Sequence, residues 1–151
     1  MLQKCRKILK NEKGLTLIEL LAVVVILGII AAIAVPSIGN ILENSKKDAQ
    51  VANAKQMVNA GKLAVVDNPG LVASSKITLE DLIDNNFIDD FQNPQKGTYD
   101  EENSYVVVDA NNQVTGVVLL AKDGTTNYGV FDENTTTAVA VVDLDRDVVK
   151  P

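Results

Sequence analysis

From Leu15 to Val35 every position is apolar except Thr16 and Glu19. At ~1.5 Å per residue such a run reaches roughly 30 Å as a helix, the thickness of a bilayer's hydrocarbon core. After Pro36 the pattern becomes periodic. Val51, Ala54, Val58, Gly61 and Val65 recur at intervals of three and four, while Lys46, Lys47, Asp48, Lys55, Asn59 and Lys62 occupy the remaining surface. This is an apolar helix stripe, with Ala54 and Gly61 small enough to permit close approach to a sheet. Asp67-Asn68-Pro69-Gly70 ends it. The pattern therefore predicts one helix from Leu15 to Val66, roughly 75 Å long by the same rise and bent or loosened at Pro36.

A second, short helix is predicted from Leu79 to Asn85, with Thr78 as N-cap and Asp81 completing a capping box in place of the usual Glu. Phe87 to Gly97 reads as a loop, and Ser74-Ser75-Lys76 as a linker. Beyond Gly97 the residues favour strands: Ser104–Asp109, Gln113–Ala121, Asn127–Phe131 and Thr136–Leu144 are rich in Val, Thr and Tyr. Asn111-Asn112, Asp123-Gly124 and Asp132-Glu133-Asn134 separate them as turns. The expected fold class is α+β, a long N-terminal helix whose outer half covers one face of a small antiparallel sheet arranged as a meander.

Charge adds an orientation. Lys4, Arg6, Lys7, Lys10 and Lys13 against Glu12 give residues 1–14 a net charge of +4, and the whole chain carries −6, which leaves −10 for the remainder. Basic residues before the apolar span and an acidic region after it predict the N-terminus on the cytoplasmic side and the C-terminal region outside. An ordinary secretory signal fits poorly, because its short apolar region ends in small residues and holds no carboxylate.

Glu19 is the unusual residue, since an ionisable group within a membrane span is expensive and functional by default. Cleavage between Gly14 and Leu15 would create an amino group with a pKa near ~7.7–8, mostly cationic at neutral pH and close to Glu19 in depth. Leu15 of one subunit could then pair with Glu19 of another. Lys13-Gly14-Leu15-Thr16-Leu17-Ile18-Glu19-Leu20-Leu21, running to Val35-Pro36, resembles the type IV pilin and pseudopilin family. In that family the leader ends in Gly, the fifth mature residue is Glu and the mature chain usually begins with Phe. Here Leu15 takes that first position. The resemblance is specific over Lys13 to Pro36 and architectural beyond it.

It implies cleavage after Gly14 and N-methylation of Leu15 by a prepilin peptidase, charge pairing of Leu15 with Glu19, and helix bending or packing at Gly28, Ala32 and Pro36. The implied partners are copies of the chain itself, an assembly platform with its motor ATPase, and the cell membrane before assembly. The implied divisions are 1–14 leader, 15–36 membrane and assembly half of the helix, 37–66 its outer half, and 67–151 head. The function this implies is a structural subunit of an extracellular filament on the cell surface. A pseudopilin of a secretion or DNA-uptake machine, a minor tip-located binding subunit, and an anchored domain that forms no polymer are the alternatives.

Other chemistry is sparse. There is no His, and the single cysteine, Cys5, lies in the leader, so no disulfide can tie down the head. No nucleophile–base arrangement, phosphate loop or zinc spacing is present, and no enzymatic activity is expected. Asp143, Asp145 and Asp147 alternate, so a strand would place them on one face as a candidate calcium site. The EF-hand pattern fails at Val148, however, and a solvated acidic tail is the alternative. No other cofactor is expected. Asn134-Thr135-Thr136 matches a glycosylation pattern but also reads as a turn. Asp100-Glu101-Glu102 reads as a solvated loop. Direct nucleic-acid binding is not expected from so acidic a surface.

Overall fold

The computed structural model describes residues 16–124, 126–132 and 137–150. The chain forms two compact units, Met1–Ile41 and Leu42–Pro151. In the first, helix α1 (Leu17–Asp67, 51 residues) begins. It stays helical through Pro36, where the Ser37 hydroxyl donates to the Ile33 carbonyl at 3.0 Å. The carbonyl that Pro36 leaves without an amide donor is that of Ala32, four residues back; the Ser37 hydroxyl bonds the next one along, and such a back-bond favours a bend. The large apolar side chains from Leu17 to Ile41 are all exposed.

In the second unit the rest of α1 buries the expected stripe, Val51, Ala54, Val58, Gly61 and Val65, together with Met57, Ala60 and Ala64. After a 3-10 turn at Pro69–Leu71, the chain makes β1 (Lys76–Thr78) and α2 (Leu79–Asp84). α2 carries the predicted capping box. The Thr78 hydroxyl accepts from the Asp81 amide at 3.1 Å, and the Asp81 carboxylate accepts from the Thr78 amide at 3.3 Å. The remaining strands are β2 (Thr98–Tyr99), β3 (Tyr105–Val108), β4 (Val114–Asp123), β5 (Thr126–Val130), β6 (Val139–Ala140) and β7 (Val149–Lys150).

All pairings are antiparallel, with main order β1-β3-β4-β5-β7. The long strand β4 organises the sheet. Its first half pairs with β3 and β6, and its second half with β5 and β2. β3, β4 and β5 form the expected meander, but two expectations fail. Lys76 is not in a linker: it opens edge strand β1, because Ser74 and Ser75 both take positive φ (50° and 63°) and turn the chain back so that Ala73 and Lys76 exchange hydrogen bonds. The fourth strand does not extend to Leu144. β6 stops at Ala140, and Val141–Asp143 is 3-10. β6 reaches β4 only at Gly116 and Val117, since β5 already occupies the same edge from Leu119 onward.

Alternation divides the strands between two cores. Val106, Val108, Val117, Leu119, Val130 and Val149 face the α1 side, whereas Tyr105, Val118, Leu120 and Phe131 form a smaller cluster on the other. That second cluster explains why β4 is buried from Gly116 to Ala121.

Candidate assembly site

At the start of α1, Glu19 already has partners within its own chain. Its Oε2 accepts from the Thr16 amide and the Thr16 hydroxyl, both at 2.7 Å, while the Glu19 amide donates to Thr16 Oγ1 at 3.3 Å. This is a Ser/Thr-x-x-Glu capping box, which satisfies orphan donors at a helix start. The signal was present in Thr16-Leu17-Ile18-Glu19, yet sequence reasoning assigned Glu19 an intermolecular role alone. Gly14 and Leu15, the expected cleavage and methylation positions, lie outside the described residues, as does Asn134-Thr135-Thr136. Gly28 would meet nothing within 4 Å if given a Cβ, and Ala32 is exposed. Both therefore leave a shallow, uncovered helix surface.

The outer unit holds a polar cluster that sequence reasoning missed. Gln50 is fully buried; its Nε2 donates to Asn93 Oδ1 at 2.6 Å and its Oε1 accepts from the Tyr99 hydroxyl at 2.7 Å. Asn53 Nδ2 donates to the same Tyr99 oxygen at 2.9 Å and to the Gln92 carbonyl at 3.2 Å. Burial pushes the Tyr99 phenol up to about 12, partly offset by the Asn53 hydrogen bond. Together these groups fasten the loop after α2 to the helix. The available signal was Gln50 and Asn53, three residues apart and bordering an apolar stripe.

At the C-terminal end, the three alternating aspartates do not lie on one strand. Asp143 closes a 3-10 turn, while Asp145 caps the next (Arg146–Val148) and accepts from the Asp147 amide at 2.9 Å. Arg146 makes a two-pronged ion pair with Asp48 of α1, at 2.8 and 2.6 Å. The hydrogen bond from that guanidinium holds the Asp48 carboxyl below its ordinary range. Among the described residues no group of three or more His, Cys, Asp or Glu is disposed to hold a metal ion. Asp100, expected in a solvated loop, instead pairs with Lys122 and accepts from the Asn103 amide and side chain.

Among the described residues, α1 is the one helix long and apolar enough to cross a membrane, none of its most apolar stretch is buried, and an antiparallel head follows it in the chain. Residues 9–35 match the prokaryotic N-terminal methylation motif. The chain is similar to two fimbrial proteins of Pseudomonas aeruginosa, each 34% identical over 67 residues, covering 44% of this chain and 44% of the relative. It is also 43% identical over 56 residues to the type IV major fimbrial protein FimA of Dichelobacter nodosus, covering 37% and 36% of the two chains. The matches thus span less than half the length of these relatives. No solved structure matches the chain.

Proposed function

We propose that this chain is the precursor of a structural subunit that polymerises into a type IV pilus-like filament. One observation carries the reading. An apolar helix that buries nothing within its own unit opens with a single carboxylate, inside the methylation motif. Apolar surface of that extent needs a lipid bilayer before assembly and other copies of itself afterwards. In this reading the basic N-terminus stays cytoplasmic and a prepilin peptidase cuts after Gly14 and methylates Leu15. A motor ATPase acting through a membrane platform then lifts subunits into the filament.

Cleavage replaces a neutral amide with a cationic amine. Until then the Thr16 capping box holds the Glu19 carboxylate. Afterwards the carboxylate has an ionic partner in the Leu15 amine of a neighbouring subunit, and docking relieves both charges. The role is structural rather than enzymatic. The test is Glu19→Ala as sole subunit, with surface filaments and processed protein measured in the same cells. Cleavage retained with filaments sharply reduced is expected; normal filaments would remove charge pairing from the mechanism.

A further inference from the structure

We propose that the exposed stripe of α1 in the outer unit is a docking surface for the acidic loops of a second copy of this chain, an inference that rests on the polymer reading. Opposite the buried stripe, Ala52, Lys55, Gln56, Asn59, Lys62, Leu63 and Val66 line one exposed helix face. Leu63 is 62% exposed and Val66 83%, an apolar pair at the end of the stripe. Lys55 and Lys62 are two turns apart, ~10.5 Å along the axis. Neither makes an ion pair among the described residues.

That freedom is unexpected in so acidic a chain. Residues 42–67 hold four lysines against three carboxylates, whereas residues 68–151 hold five cations against fifteen carboxylates. The complementary surface lies around α2 and the loop after β2. The Glu80 amide donates to the Glu101 carbonyl at 3.3 Å, and Asp90 lines the same cleft as Glu101. Glu80, Asp90, Glu101 and Glu102 are exposed and make no ion pair among the described residues. One chain therefore carries a lysine-bearing helix face, bordered by its own Asp89 and by the Asp48–Arg146 pair, and an acidic surface around Glu80, Asp90, Glu101 and Glu102. A contact between different patches of identical copies is heterologous, and it propagates as an open helical array unless it closes into a ring. Charge fixes the register and disfavours wrong pairings, and Leu63 and Val66 add apolar area that a partner would cover.

The test uses the full chain in cells with a pilus assembly machine, in a Cys5→Ser background. Leu63→Cys with Asn103→Cys should give a ladder of multimers under a short thiol cross-linker. Lys55→Glu with Lys62→Glu should lower ladder and filament yield about tenfold or more, by like-charge repulsion. Adding Glu101→Lys and Glu102→Lys should restore both. Filaments without a ladder would overturn the docking surface and leave the polymer reading standing. A ladder without filaments would keep the docking surface and remove the polymer reading, and neither product would remove both. A loss on lysine reversal that acidic reversal fails to restore would assign the stripe to another partner, overturning the proposal.

Discussion

A Cβ placed on Gly61 of α1 would lie 2.7 Å from Cγ2 of Val106 in β3. Helix and sheet therefore touch at a point where one residue has no side chain and the other is fully buried. Val is stiff about χ1, so its methyl cannot swing aside without leaving its rotamer.

Gly61→Ala should accordingly destabilise the outer unit by about 1 kcal/mol, because overpacking of ~1–3 kcal/mol exceeds the ~0.5–1 kcal/mol that Ala contributes to helix propensity. Val106→Ala in the same chain should relieve the clash, so the double variant should be more stable than the sum of the two single changes. Denaturant unfolding of the four proteins checks this. Strict additivity would mean that the two residues do not meet.

A fragment beginning at Ser45 should be soluble and unfold cooperatively, because burial in α1 begins at Gln50 and the whole sheet lies beyond it. Circular dichroism should give mixed helix and strand with one sigmoidal transition. A disordered spectrum would show that the outer unit needs the preceding helix.

The turn at Ser74-Ser75 places two non-glycine residues at φ values of 50° and 63°. This is the type I′ arrangement, for which Asn-Gly is the preferred pair. Ser75→Gly should raise stability by about 0.5–1 kcal/mol, whereas Ser75→Val should lower it. The shift in unfolding midpoint measures both.

Tyr99 predicts an alkaline limit. Its folded-state pKa of about 12 lies above the ordinary 10.0, so its contribution is fully present below pH 10 and is lost as pH rises toward 12. Phenolate absorbance from Tyr99 should therefore appear together with unfolding, and Tyr99→Phe should remove that component while loosening Gln50 and Asn53. At the acid end, burial raises Asp100, but hydrogen bonds from Lys122 and Asn103 outweigh it and hold the carboxyl below 3.8. That contribution is present above this value and disappears as pH falls through the lower, folded-state pKa.

Surface material should begin at Leu15, bearing a methylated amine. N-terminal sequencing and intact mass check this, and a start near Ser37 or a retained leader would contradict it.

How much could be read from sequence depended on how local the signal was. The apolar run, the stripe from Val51 to Val65 and the capping box at Thr78 each arise within a few residues, and each appears where the pattern put it. β1 escaped notice because three residues at a sheet edge carry no periodicity, and its turn uses Ser-Ser rather than Asn-Gly. The last strand was overextended because Val-rich sequence favours extension equally whether or not a neighbouring edge is free.

By itself, then, the sequence determined the membrane-length helix, the N-terminal methylation motif and the class of head, because hydropathy and helix period act locally and additively. Only the tertiary structure decided that Gln50 is buried against Tyr99 and that Arg146 reaches back to Asp48, pairings that join residues 49 and 98 positions apart. Each follows from which faces the packing of α1 on the sheet leaves dry and which it leaves in water. The Thr16–Glu19 bond is by contrast local, three residues apart, because a helix start must satisfy its own amides before a charge is free for a neighbour.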